Sequence, residues 1–232
     1  MFLSPEEWAV VQLSLKVSLA ALALSVPLAF GVAWLLARGR FPGKVVLDGI
    51  VHLPLVLPPV VTGWMLLLLF GTNGPLGRFF AEWFGVTFMF RWTGAAIAAA
   101  VMAFPLMVRA MRLSIEAIDV RLEEAAMTLG ANKSRTLLTI SLPLAFPGIL
   151  AAIMLGFARS LGEFGATITF VSNIPGETQT LPIAIYSALQ IPGSETLVAR
   201  LSIISVVLSL GALVASEMLA RRSGESRGRY AQ

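Results

Sequence analysis

The chain has 232 residues, of which 57% are hydrophobic and only 13% charged, and its mean hydropathy is +0.84. So little polar surface cannot cover a water-soluble globule, which leaves an integral membrane protein as the class. The net charge of +4 is accounted for by basic residues in short loops between apolar runs, so nucleic acid is not an expected partner, and the absence of cysteine removes disulfides, thiol nucleophiles and Cys-ligated metals.

A span needs about 20 apolar residues to cross a hydrocarbon layer of about 30 Å. The N-terminus is acidic (Glu6, Glu7), and the apolar run after it is far longer than the hydrophobic part of a signal peptide. It reads as an uncleaved first span over Leu13–Leu36, flanked by Trp8 on one side and Arg38 and Arg40 on the other. A second span is expected over Ile50–Phe70. Pro54, Pro58 and Pro59 at its start allow two readings, a helix broken beside a pathway or an entry into a span with proline in the first helical turn. The third span covers Thr93–Met111, the fourth begins near Leu144, and the fifth covers Leu201–Leu219. The stretch 162–192 is punctuated by Pro175-Gly176, Pro182 and Pro192-Gly193. It is expected to form short helices in a loop or a segment re-entering the membrane, with a sixth span as the alternative.

Orientation follows from the basic residues. One set of connections holds Arg38, Arg40, Lys44, Arg109, Arg112, Arg121, Lys133 and Arg135, and the tail adds Arg221, Arg222, Arg227 and Arg229. The opposite connections hold clearly only Arg78 and Arg91. The richer side is expected in the cytoplasm, with the N-terminus outside and the C-terminus inside.

Residues 109–143 make too long a cytoplasmic connection for a simple turn. Apolar residues recur at helical spacing (Leu113, Ile115, Ile118, Leu122, Ala126, Leu129) up to Gly130, which accepts the left-handed backbone that ends a helix. A further helical run from Ser134 leads to Pro143. The expected form is helix, short helix, glycine turn, helix. Ala125 and Ala126 leave the short helix smooth for close approach of another protein, and Glu123 and Glu124 are available to basic groups around a receiving groove.

The residues Glu124-Ala125-Ala126, then Gly130 after three positions, then Ile140-Ser141-Leu142-Pro143 after nine more, match the EAA signature. The chain thereby resembles the permease subunits of bacterial and archaeal ABC importers. The resemblance implies an all-α fold of the type I importer permease class and a single transmembrane domain over 1–232. It also implies a coupling segment at 109–143 that docks on a separate ATPase through Glu123, Glu124, Ala125, Ala126, Leu129, Gly130, Ile140, Leu142 and Pro143. No G-x-x-x-x-G-K-[ST] phosphate loop occurs in the chain. The chain is therefore expected to be no enzyme and to bind no cofactor, with ATP and Mg held by the partner.

Ionisable residues at membrane depth are costly and often functional. The candidates are Lys16, His52, Arg159, Glu163 and Glu217. Arg159 and Glu163 are spaced to share one helix face, either beside a gate or as a structural ion pair, and His52 is expected to be a hydrogen-bonded interfacial residue. Phe157–Thr178, with its Leu161-Gly162-Glu163-Phe164-Gly165 core, is similar to the permease of molybdate importers, as are His52–Val61 and Phe104–Ala110. Sulfate permeases share that core, while Ile174-Pro175-Gly176-Glu177-Thr178 and the five-span length favour molybdate, with tungstate expected to travel with it. The resemblance implies a homodimer in the lipid of the inner membrane, two ABC ATPase subunits and an extracytoplasmic molybdate-binding protein. The candidate pathway or gate residues are Pro54, Pro58, Pro59, Arg159, Ser160, Glu163, Phe164 and Thr167. An ion-coupled secondary transporter or channel, the alternative from another class, would want paired broken helices in inverted repeats or charged rings. Neither pattern is found.

Overall fold

The computed structural model describes residues 3–228, without the side chains at 213, 215–217 and 219–228. Glu217 and the basic tail from Arg221 therefore lie outside the described side chains. The chain is a helical bundle. Its first helix, α1 (Pro5–Arg38), opens on a capping box in which Ser4 Oγ accepts from the Glu7 amide at 3.1 Å and a Glu7 carboxylate oxygen accepts from the Ser4 amide at 2.7 Å. At 1.5 Å per residue its 34 residues extend about 51 Å, well beyond the thickness of a bilayer core.

Helix α5 (Trp92–Glu116) lies at the centre, between α1 and α8 (Leu142–Leu161). Its buried face is rich in small residues toward its N-terminal half: Gly94, Ala95, Ala96, Ala98, Ala99, Ala100 and Ala103. In lipid, where no water drives helices together, small residues permit the close packing that holds them. Helix α8 answers with Gly148 against Ser114 and Gly156 against Met107 and Leu22, places where an added Cβ would collide. One part of the core gathers round Met107, Met111 and Ile115, a second round Ala99, Met102 and Phe170, and a third round Val11, Leu161 and Leu181.

The bundle carries its own measure of the membrane. At one end Lys16 Nζ sits 3.8 Å from the centre of the Trp92 ring, and at the other α1 ends at Arg38. The intervening 22 residues of helix cover about 33 Å, the width of a hydrocarbon core.

The expected second span is a bent pair in the structure. It is two helices, α2 (Lys44–Val56) and α3 (Pro59–Phe70), bent by 116° at Leu57-Pro58. Both readings of the prolines are realised in part: Pro58 and Pro59 sit at the break, Pro59 begins α3, and Pro54 is carried inside α2. Helix α4 (Pro75–Phe84) precedes α5. After α5 come α6 (Val120–Thr128) and α7 (Lys133–Thr136), and a π-helical turn, Leu137–Ser141, runs into α8. Proline at 143 lacks the amide for the normal ladder and crowds the carbonyl four residues back. The ladder widens there, with the Leu142 amide reaching the Leu137 carbonyl.

The stretch 162–192 forms two short helices, α9 (Gly165–Val171) and α10 (Leu181–Ala188), of seven and eight residues. Neither crosses a membrane, so the sixth span is not present. Helix α11 (Glu195–Gly228) is the last element among the described residues. Among the described residues, four helices are long and apolar enough to span, five if the bent pair is one span.

Candidate functional site

Two regions gather the residues singled out by the sequence. The first is the projection between α5 and α8. Asp119 opens α6, its carboxylate accepting from the Arg121 amide at 3.0 Å. The helix ends in a Schellman arrangement: the Gly130 amide donates to the Met127 carbonyl and the Ala131 amide to the Ala126 carbonyl, both at 3.0 Å. Gly130 has φ +90°, a conformation a side chain would disfavour. Asn132 then caps α7, accepting from the Arg135 amide at 2.8 Å.

No residue of α6 is buried. Glu124 and Ala125 are exposed, Ala126 half-buried, and Leu129 is 89% exposed. Leaving a leucine so open on a helix with a defined end gives the projection an uncovered apolar tip. Ile140 and Leu142 are half-buried, Leu142 against the core, and Pro143 is exposed at the start of α8.

Glu123 departs from the expectation. Its carboxylate turns into the chain, 3.1 Å from Arg38 of α1, and accepts from Ser141 Oγ at 2.8 Å. Arg38 also donates to the Ile118 carbonyl at 3.1 Å. Sequence reasoning used Arg38 only to orient the first span and missed it as the anchor of α6. No local signal joins residues 85 positions apart. The knot borders a cleft of about 410 Å³ lined by Trp34, Met127, Lys133 and Leu137 among others. Beside it, Arg112 of α5 bonds Asp48 of α2 at 3.1 Å and Glu116 at 2.8 Å. His52 Nδ1 lies 2.8 Å from the Asp48 carbonyl oxygen, the hydrogen-bonded role expected of it.

The second region lies where two breaks meet. Helix α3 starts at the bend after Pro58, and α9 starts after the interruption Gly162–Phe164. They pack so tightly that a Cβ on Gly63 would lie 2.6 Å from the Ala166 carbonyl oxygen, and one on Gly165 2.7 Å from Pro59 Cβ. Pro58, Pro59, Glu163, Phe164 and Thr167 are thus brought to one junction, while Pro54 stays on α2 before the bend. Arg159 and Glu163 form an ion pair at 2.6 Å, with the Glu163 side chain 2% exposed. The same carboxylate accepts from the Ala166 amide at 2.9 Å, so it also secures the start of α9. This is the structural ion-pair reading of the two residues. Phe164 stacks obliquely on Tyr186 of α10, ring centres 4.9 Å apart. The buried hydroxyls of Thr62 and Ser160 have no hydrogen-bond partner. Among the described residues, the junction thus gathers unpartnered hydroxyls beside a cation paired with Glu163.

At the end of the bundle away from α6, sequence reasoning missed a further pair. Glu7, 3% exposed, forms an ion pair with Arg200 of α11 at 3.0 Å.

Residues 19–224 match the model of the binding-protein-dependent transport system inner membrane component family. The chain belongs to that family, and its bundle is the type I ABC importer permease fold. Over 229 residues it is 58% identical to the molybdenum transport system permease protein ModB of Escherichia coli K12, covering 99% of this chain and 100% of that one. The sulfate transport system permease protein CysT of Salmonella typhimurium is more distant, 40% identical over 68% of this chain and 57% of its own length. Among solved structures, a bacterial ABC transporter involved in the import of the acidic polysaccharide alginate aligns with a TM-score of 0.75 over 95% of this chain and 81% of its own, at 19% identity. At that identity the likeness speaks for the fold alone.

Proposed function

We propose that the chain is the membrane-spanning subunit of an ATP-driven importer of molybdate, and of tungstate with it. The observation that carries the substrate is the end-to-end similarity to ModB at 58% identity, against 40% for the sulfate permease CysT. The observation that carries the energy coupling is α6, a capped helix with no buried residue, an exposed Glu124-Ala125 face and an open Leu129. Two copies of the chain would form the pathway, with two ABC ATPase subunits beneath and an extracytoplasmic binding protein delivering the oxyanion. The N-terminus would face outward and the C-terminus the cytoplasm, in the inner membrane. ATP and Mg belong to the partner; the chain itself takes no cofactor and does no covalent chemistry.

In this reading Glu124, Ala125, Ala126, Leu129 and Gly130 enter a groove of the ATPase. Closure of the two ATPases pushes α6, which is joined to α5 by a short turn and to α8 through the π turn, and to α1 by the Arg38–Glu123 pair. The displacement reaches the α3–α9 junction through α5 and α8, opening the path outward, and hydrolysis resets it. The test is uptake of labelled molybdate into proteoliposomes containing the chain, its ATPase and its binding protein. Uptake that needs ATP and is blocked by tungstate but not by excess sulfate is expected. Equal competition by sulfate would move the substrate to sulfate, and uptake without the ATPase would overturn the coupling.

A further inference from the structure

Helix α4 has no part in the proposed function. It lies between α3 and α5, joined to them by Gly71–Gly74 and Gly85–Arg91, at the end of the bundle away from α6. At about 100° per residue, Leu76, Phe79, Phe80, Trp83 and Phe84 fall within an arc of about 140°. Arg78 and Glu82 share the opposite face, both exposed.

One edge of the aromatic face holds the helix to the bundle. Phe80 meets Phe88 at 5.3 Å, Phe88 meets Phe70 of α3 at 5.5 Å, and Phe70 meets the buried Phe170 of α9 at 6.5 Å. Gly77 is buried against the backbone of Gly71, where a side chain would collide. The rest of the face is open: Trp83 is 75% exposed, Phe84 65% and Phe79 47%. Three large aromatics on ten residues of a rigidly attached helix are costly in water.

The level of the helix in the membrane decides what covers them. Helix α4 is tied by Phe88 to the segment that enters α5 at Trp92, and Trp92 lies under Lys16 at the edge of the hydrocarbon width measured along α1. A short helix at that level, aromatic on one face and charged on the other, matches the boundary between acyl chains and headgroups, where Trp is enriched and amphipathic helices lie in plane. We infer that α4 is an in-plane lipid anchor. Trp83 and Phe79 are seated at the acyl–headgroup boundary and Arg78 and Glu82 face the water, fixing the height of the α3–α5 connection.

The chain contains no cysteine, so Trp83→Cys, Phe79→Cys, Phe84→Cys and Glu82→Cys each create a single labelling site. Each full-length variant, spin-labelled and reconstituted in vesicles of phosphatidylethanolamine and phosphatidylglycerol, is scored by collision with oxygen and with a water-soluble nickel chelate. The ratio of oxygen to nickel accessibility is expected to be at least about threefold higher at 79 and 83 than at 82, as for a helix lying half-immersed in the interface. A label at 83 reached by nickel as freely as one at 82 would place α4 in water and overturn the inference. A label at 79 and 83 shielded from both reagents would mean that protein covers the face, with the same consequence. Should Trp83→Cys fail to insert, the Phe79 and Phe84 variants give the same comparison.

Discussion

Glu123 and Glu124 are adjacent in sequence and, in the structure, do different work. Glu123 is tied to Arg38 at 3.1 Å and Ser141 at 2.8 Å, with side-chain exposures of 19% for Arg38 and 13% for Glu123, whereas Glu124 points away from the chain. Coulomb's law at an effective dielectric of about 20 gives a gross attraction of about 5 kcal/mol at that separation. Desolvation offsets most of it, and the net lies between the about 0–1 kcal/mol of exposed pairs and the about 3–5 kcal/mol lost when a buried pair is broken. With the Ser141 bond included, Glu123→Ala should cost about 2 kcal/mol, or about 4–8 °C in melting temperature by the scaling for chains of this size. Glu124→Ala should change stability by no more than about 0.5 kcal/mol. The assay is thermal unfolding of the detergent-purified chain, read by tryptophan fluorescence, together with retention of the ATPase on the immobilised chain. Glu124→Ala should keep its melting temperature and lose ATPase retention. Glu123→Ala should melt early, and adding Arg38→Ala should cost less than the sum of the two single changes. An unchanged melting temperature for Glu123→Ala with lost ATPase retention would return Glu123 to the partner interface and refute this division of labour.

Arg200→Ala leaves the Glu7 carboxylate, 3% exposed, with only the Ser4 amide, and should cost about 3 kcal/mol. Adding Glu7→Gln should recover part of that loss in the same melting assay. Gly63→Ala drives a Cβ to 2.6 Å from the Ala166 carbonyl oxygen and 2.8 Å from Thr169 Cβ. It should cost about 1–3 kcal/mol and alter the rate of uptake, whereas Gly31→Ala within α1, where an added Cβ meets nothing, should leave uptake unchanged and raise stability by about 0.5–1 kcal/mol. Ser172, an exposed residue after α9, has φ +64° and ψ −164°, a region that belongs to glycine. Ser172→Gly should raise the melting temperature by relieving about 1 kcal/mol of backbone strain, and a fall would refute the strain.

Apolar run length makes the membrane class and the five apolar runs legible in the amino-acid sequence, and proline position offers a break at Pro58-Pro59 as one of two readings, because each follows from chemistry within about one span of chain. The same holds for the glycine-ended helix before Gly130, whose Schellman geometry needs only local hydrogen bonds. The i,i+4 spacing of Arg159 and Glu163 announces their pairing for the same reason. Tertiary structure alone decided the 116° bend, the meeting of α3 with α9 through Gly63 and Gly165, and the partners of Glu123 and Glu7. Each of these depends on residues far apart in sequence reaching one place, through packing that local propensity does not specify. Glu123 shows the difference most plainly: its charge can be read from the chain, but only the arrival of α1's last turn beside α6 turns it inward.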